Sequence, residues 1–173
     1  KLARKISKRL NSQNMKFSWK MLSKEVFYES ARELDIDPEK VRRIFKQDDS
    51  YIFKDILNAF GTSKFKSEKK IVKTVNDVIR TFAVDGFCII VGRAGHIIAH
   101  DLKNALHIRL FAPLEYRIKT IMANNKLNRE EAIQFIEKVE KERISFRRAI
   151  GKEGMEDDLF DICINRGSFI DEK

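Results

Sequence analysis

The stretch that decides the fold is Phe87-Cys88-Ile89-Ile90-Val91-Gly92-Arg93-Ala94-Gly95. Apolar residues run unbroken from Phe87 to Val91 between two glycines. A strand that is apolar on both faces suits the interior of a parallel sheet, where helices cover it on either side. The segment from Val91 to Gly95 then falls at the carboxyl edge of that sheet, where open α/β sheets bind ligands. Glycines let a backbone approach a ligand closely, and Arg93 can grip a phosphate with two parallel donors. A tight strand-to-helix turn with a solvated arginine accounts for the same residues, so the segment alone does not decide.

Moving outward, Ile71, Val75, Val78, Ile79 and Phe82 share one face of an amphipathic helix that ends before the Asp85-Gly86 turn. Ala105 to Ala112 reads as a second strand, and Pro113-Leu114-Glu115 opens a helix reaching about Asn124. Asn128-Arg129-Glu130-Glu131 starts a long helix to Ala149, broken by Gly151 and Gly154, and Leu159 to Asn165 is a third strand. Upstream, Leu2, Ile6 and Leu10 have helical spacing, and Met15 to Lys24 reads as a short strand or extended connection. A helix over Lys24 to Leu34 buries Val26, Phe27 and Ala31, and Asp37-Pro38-Glu39 supplies a cap and a first-turn proline for the next helix. Lys46 to Lys70 reads as a polar helical arm with a loop at Gly61-Thr62-Ser63. Strands alternating with helices predict an α/β fold, a three-layer α/β/α parallel sheet in one domain.

Composition narrows the partners. The 173 residues carry a net charge of +9, which favours an anionic partner: nucleic acid, a membrane surface or a phosphorylated small molecule. No 18-residue apolar run and no signal-peptide pattern is present, so a cytoplasmic protein without a membrane partner is expected. Cys88 and Cys163 lie in apolar runs and read as buried free thiols. His96, His100 and His107 have no ligand pattern around them and read as satisfied surface or core residues. Basic residues near the N-terminus and in Lys64 to Lys73 leave a nucleic-acid-binding module open, although no helix-turn-helix, zinc or RNA-binding aromatic signature supports it.

A second constellation lies in Lys141 to Arg148. Arg143 and Arg147, at i and i+4, project from one helical face, and Arg148 flanks them. Guanidiniums gathered on one face stabilise the charge of a transferring phosphoryl group. Ordinary surface pairing is the competing explanation, with Glu140 three residues before Arg143.

Taken in order, IIVGRAG, NALHIRLFAPLEYRI, ERISFRR and DLFDICINRGSF resemble the cytidylate-kinase-like family of P-loop kinases over Phe87 to Phe169. The resemblance implies a nucleotide kinase that uses ATP and Mg²⁺, with a helical arm over residues 35–82 that binds the nucleoside monophosphate. It implies core strands over 83–127, a lid over 128–158 and a last strand and turn over 159–173, after an opening segment over 1–34. Arg93, with Gly92 and Gly95, would hold the acceptor phosphate, and Lys73 would add a weaker contact, as would Arg80. Arg143, Arg147 and Arg148 would bridge donor and acceptor phosphates as catalytic lid arginines. Asn165 and Arg166 would lie near the donor base. A nucleotide or other phosphorylated small molecule is the expected partner.

Two departures qualify this. No G-x-x-x-x-G-K-[ST] loop occurs in these residues, and the resemblance places that loop directly before the first helix. Ser23 stands where family members commonly carry an acid, and Ala94 stands where true cytidylate kinases carry an aspartate. Cytidine therefore does not follow as the acceptor, and a non-catalytic nucleotide-sensing module with the same fold is the alternative reading.

Overall fold

The computed structural model describes residues 2–13, 16–47, 60, 67–92, 94–150 and 158–168. Helix α1 (Leu2–Asn11) leads to β1 (Lys20–Leu22), α2 (Glu25–Glu33) and α3 (Pro38–Gln47). After α4 (Glu68–Asp85) come β2 (Cys88–Ile90) and the short α5 (Gly95–Ile98). The chain continues through β3 (Ile108–Phe111), α6 (Leu114–Asn125), α7 (Arg129–Ile150) and β4 (Ile162–Asn165), and ends in a 3₁₀ turn (Arg166–Ser168).

The local signals explain where the helices start. Asp37 accepts the Glu39 N–H at 3.0 Å, and Pro38 opens α3 without needing a donor of its own. Ser67 caps α4 by accepting the Lys70 N–H at 3.3 Å. At α7, Asn128 accepts the Glu131 N–H at 2.9 Å and Glu131 accepts the Asn128 N–H at 2.8 Å, a reciprocal box that fixes the first turn. Arg129 adds a two-pronged pair to Glu115 on α6, at 2.9 and 2.6 Å.

Helix α6 ends differently. Lys126 closes it with φ 56°, the left-handed conformation that costs any residue with a Cβ. Lys126→Gly is therefore expected to raise the unfolding free energy by about 0.5–1 kcal/mol. Urea denaturation should show the midpoint rise at constant m-value.

The main core lies where α2 packs against both α3 and α4. Val26, Phe27 and Ala31 from α2, Val41 from α3, and Ile71, Val75, Val78 and Ile79 from α4 are buried there with Leu22, Phe60 and Ile98. Phe146 and Ile150, at the far end of α7, pack onto the same cluster. A smaller cluster of Ile118, Ala132 and Ile136 joins α6 to the start of α7. Helix α1 buries no residue. It is tied down by polar groups instead: Asn11 accepts the Trp19 N–H at 2.6 Å and returns a hydrogen bond to the Trp19 carbonyl at 3.0 Å.

The strands are parallel, as expected, and among the described residues they are shorter than the apolar runs and form two separate pairs. Among the described residues β1 pairs with β2, with Lys20 opposite Cys88 and Leu22 opposite Ile90. β3 pairs separately with β4, with Ile108 opposite Ile162 and Phe111 opposite Asn165. Phe87 falls outside β2 because its φ of 47° is not a strand conformation, although its carbonyl still accepts the Lys20 N–H at 2.9 Å. Residues 105–107 stay outside β3, where Asp161 accepts the His107 N–H at 2.6 Å. Leu110 and Phe111, neighbours on β3 and so on opposite faces, are 49% and 45% exposed. The apolar run of β3 is thus wet on both sides, whereas the sequence pattern predicts burial.

The cysteine expectation also needs correction. Both thiols are free, but Cys88 is only half-buried and Cys163 is exposed. Cys88 donates to the Phe82 carbonyl at 3.1 Å, and burial, with the nearby Asp85 carboxylate, raises its pKa. The polar arm over Lys46 to Lys70 lies largely outside the described residues.

Candidate functional site

Strand β2 delivers the glycine turn to the carboxyl end of the β1–β2 pair. The Val91 N–H still bonds the Leu22 carbonyl at 2.8 Å, and the chain then turns at Gly92 with φ 70°. Ala94 also has a left-handed φ, 53°, and is buried. Glycine, asparagine and aspartate enter that conformation at least cost, so an alanine there carries strain that an aspartate would ease. Gly95 opens α5 packed on Ile90, whose Cγ2 would sit 3.2 Å from an added Cβ. Gly92 and Gly95 therefore flank one tight turn beyond a strand. Arg93, between them, lies outside the described residues.

The α7 arginines divide between two neighbourhoods. Arg143 is exposed and borders a cavity of about 230 Å³ between α6 and α7, walled by Ala112, Tyr116, Ile121, Phe135 and Val139. Glu140, the acid that spacing offers to Arg143, is instead ion-paired to Arg117 of α6. Arg147 does not line that cavity. It is half-buried and lies close enough to His96 to act on its charge state. Arg148 is exposed.

Asn165 and Arg166 stand at the carboxyl end of the β3–β4 pair. Asn165 accepts the Gly167 N–H at 3.0 Å, closing the turn over its own backbone. A Cβ at Gly167 would meet the Cδ of Pro113 at 2.6 Å, so the turn sits directly on the start of α6. Gly167→Ala must displace either the turn or Pro113. A loss of about 1–3 kcal/mol is expected, measured as a lower thermal midpoint. An unchanged midpoint would show that the proline yields freely.

Lys73 lies on the exposed side of α4, and among the described residues no hydrogen bond or ion pair joins it to these groups. Arg80 is engaged elsewhere: it is paired with Asp101 and donates to the Ile98 carbonyl at 2.9 Å. The Arg80 hydrogen bond holds the Asp101 carboxyl down to about 2.

Sequence reasoning missed one cluster. The His96 ring stacks on Phe160, centroids 4.4 Å apart, and the Arg109 guanidinium lies 5.8 Å from the same ring's centroid. Among the described residues His96 Nε2 is shielded from solvent without a hydrogen-bond partner, unlike the satisfied histidine that the sequence predicts. Burial, and then the charges of Arg147, His107 and Arg109, lower its pKa to about 4. His107 and His100 meet the expectation, through contacts to the Ala99 carbonyl at 3.3 Å and the Ile97 carbonyl at 2.9 Å. No spacing rule joins residues 96, 109, 147 and 160, so only the folded chain reveals the group.

A glycine turn beyond a parallel strand, an arginine-bearing helix and an asparagine turn beyond a second parallel pair define an α/β protein suited to phosphate-bearing ligands. The model of the cytidylate kinase-like family matches residues 2–168, and the chain belongs to that family. No curated protein matches the chain. No helix among the described residues is long and apolar enough to cross a membrane.

Proposed function

We propose that this chain is the arginine-bearing part of a nucleotide kinase that transfers the γ-phosphoryl group of ATP to a nucleoside monophosphate or similar acceptor. The observation that carries this reading is the placement of Glu140. Its pairing with Arg117 leaves Arg143 at the cavity rim rather than in a surface ion pair with its helical neighbour. Guanidiniums placed before the reaction neutralise charge on a loose phosphoryl transition state without reorganising, and there is little covalent chemistry for the protein to do.

In this reading Gly92, Arg93 and Gly95 seat the acceptor phosphate, and residues 35–82 form the acceptor-binding arm. Arg143, Arg147 and Arg148 of the lid over 128–158 bridge donor and acceptor phosphates, and Asn165 and Arg166 border the donor base. The two parallel pairs belong to a three-layer α/β/α fold, and the enzyme works in the cytoplasm. Mg²⁺ fits the family, but among the described residues no three Asp, Glu, His or Cys side chains gather to hold a metal ion. These residues do not build its seat, and no step is assigned to it. A lysine-bearing glycine loop is required for turnover and is not found in the 173 residues.

This span is expected to bind nucleotides in a calorimetric titration without transferring phosphate, while a longer chain carrying such a loop transfers it. Equal turnover by both would overturn the reading. Nucleotide binding with no transfer by the longer chain would favour the sensing module.

A further inference from the structure

We propose that the amino end of the β1–β2 pair is a seat for single-stranded nucleic acid, with a base stacked on Phe17 and phosphates held by Arg4, Lys8, Lys16 and Lys20. Phe87 precedes β2 and Gly92 follows it, so the strand separates this seat from the glycine turn. The seat does not depend on the phosphotransfer reading.

The fold assembles the rings. The Phe17 ring stacks on Phe87, centroids 4.6 Å apart, and Trp19 meets Phe87 edge-on at 5.8 Å. Trp19 is half-buried and forms the floor of the group, whereas Phe17 is 52% exposed. A ring left in water on such a support is a surface for base stacking, which tolerates any sequence because every base has a π-face. Lys16 Nζ lies 5.8 Å from the Phe17 centroid, on a side chain long enough to follow a phosphate.

Most of the charge comes from α1. Arg4, Ser7, Lys8 and Asn11 stand at i, i+3, i+4 and i+7, one stripe of the helix. Ser7 and Asn11 of that stripe both donate to the Trp19 carbonyl, at 3.1 and 3.0 Å, which sets Arg4 and Lys8 beside the rings. Lys20 follows directly on β1. All four cations are exposed, and among the described residues no acid is hydrogen-bonded or ion-paired to them. Helix α1 carries no acid at all, and Asp85, which acts on Cys88, sets one negative charge at this end against four positive ones. A membrane surface is also anionic, but α1 exposes two large apolar side chains, Leu2 and Ile6, too few to sink a helix face among acyl chains. In a duplex the bases are already stacked on one another and leave Phe17 no partner.

The test titrates the full chain with labelled oligo-U and oligo-dU of one length, a duplex, and vesicles of phosphatidylserine and phosphatidylcholine in equal parts. Anisotropy gives affinity, and fluorescence of Trp19, the single tryptophan, gives place. Both single strands are expected to change the Trp19 signal, and tighter oligo-U would assign the seat to RNA. Four phosphate contacts at about 0.7 each predict a slope of log K against log salt of about −3. Arg4→Gln combined with Lys8→Gln should reduce that slope to about −1.4. Phe17→Ala should weaken binding about tenfold at an unchanged slope. Phe17→Leu, which keeps apolar bulk without the π-face, should lose nearly as much and covers any loosening of the fold by alanine.

Displacement of the strand by AMP would move it to the phosphotransfer site. Duplex or vesicles bound as tightly as the single strands would name a different partner. Wild-type affinity in Phe17→Leu would remove the rings from the seat. Each of these results overturns the proposal, as does an absence of binding at low salt.

Discussion

Phe27→Ala is expected to lower the unfolding free energy by about 3–5 kcal/mol. Phe27 has no solvent exposure and sits on α2 in the cluster that α2 forms with α3 and α4. Truncation removes the ring's transfer free energy and leaves a void that three packed helices cannot fully close. Domains of this size are stable by about 5–15 kcal/mol, so this one change removes a large share of the total. Urea denaturation should show a much lower midpoint with a similar m-value. Val84→Ala makes the comparison, because Val84 is 62% exposed and its loss should stay within about 0.5 kcal/mol. Equal midpoints for the two variants would mean that the core is centred elsewhere.

Arg143→Ala should lower kcat by about 10²–10³-fold in a chain that carries its phosphate loop, with little change in thermal midpoint. Arg143 is exposed, so little packing is lost with it. Its expected contribution is to the transition state, where one preorganised donor removed has a cost of this order. Arg143→Lys should recover only part of the rate, because an ammonium is a compact charge without the planar two-pronged donor set. A kcat within threefold of wild type in Arg143→Ala would remove Arg143 from the proposed machinery.

The helices were legible because their signals are local. The face shared by Ile71, Val75, Val78 and Ile79 is buried, as are Val26, Phe27 and Ala31. The Asp37-Pro38 start and the Asn128 start fall within a residue of their predicted places. The strands were less legible, since an apolar run does not reveal what covers it. Ala105 to Ala112 shrinks to Ile108–Phe111, and the wet faces of Leu110 and Phe111 depend on neighbours that the run does not encode. Phe87 reads as strand by composition, yet the Gly86 turn carries it into a left-handed conformation. Of the candidate site, the glycine turn and the arginine helix were visible in sequence. The capture of Glu140 by Arg117 and the stack of His96 on Phe160 were not, because each joins residues more than twenty positions apart.

Helix α7 is fastened at both ends. The Asn128 box and the Arg129–Glu115 pair clamp its start, while Phe146 and Ile150 are set into the main core. Its 22 residues span about 33 Å at 1.5 Å per residue. In mechanical language it is a strut rather than a flap, with Arg143 mounted on the span and Arg147 beside the inner anchor. A strut does not swing its cargo toward a ligand. It holds the charges at a fixed gauge, so the ligand must come to them, or the whole core must rock and carry them with it.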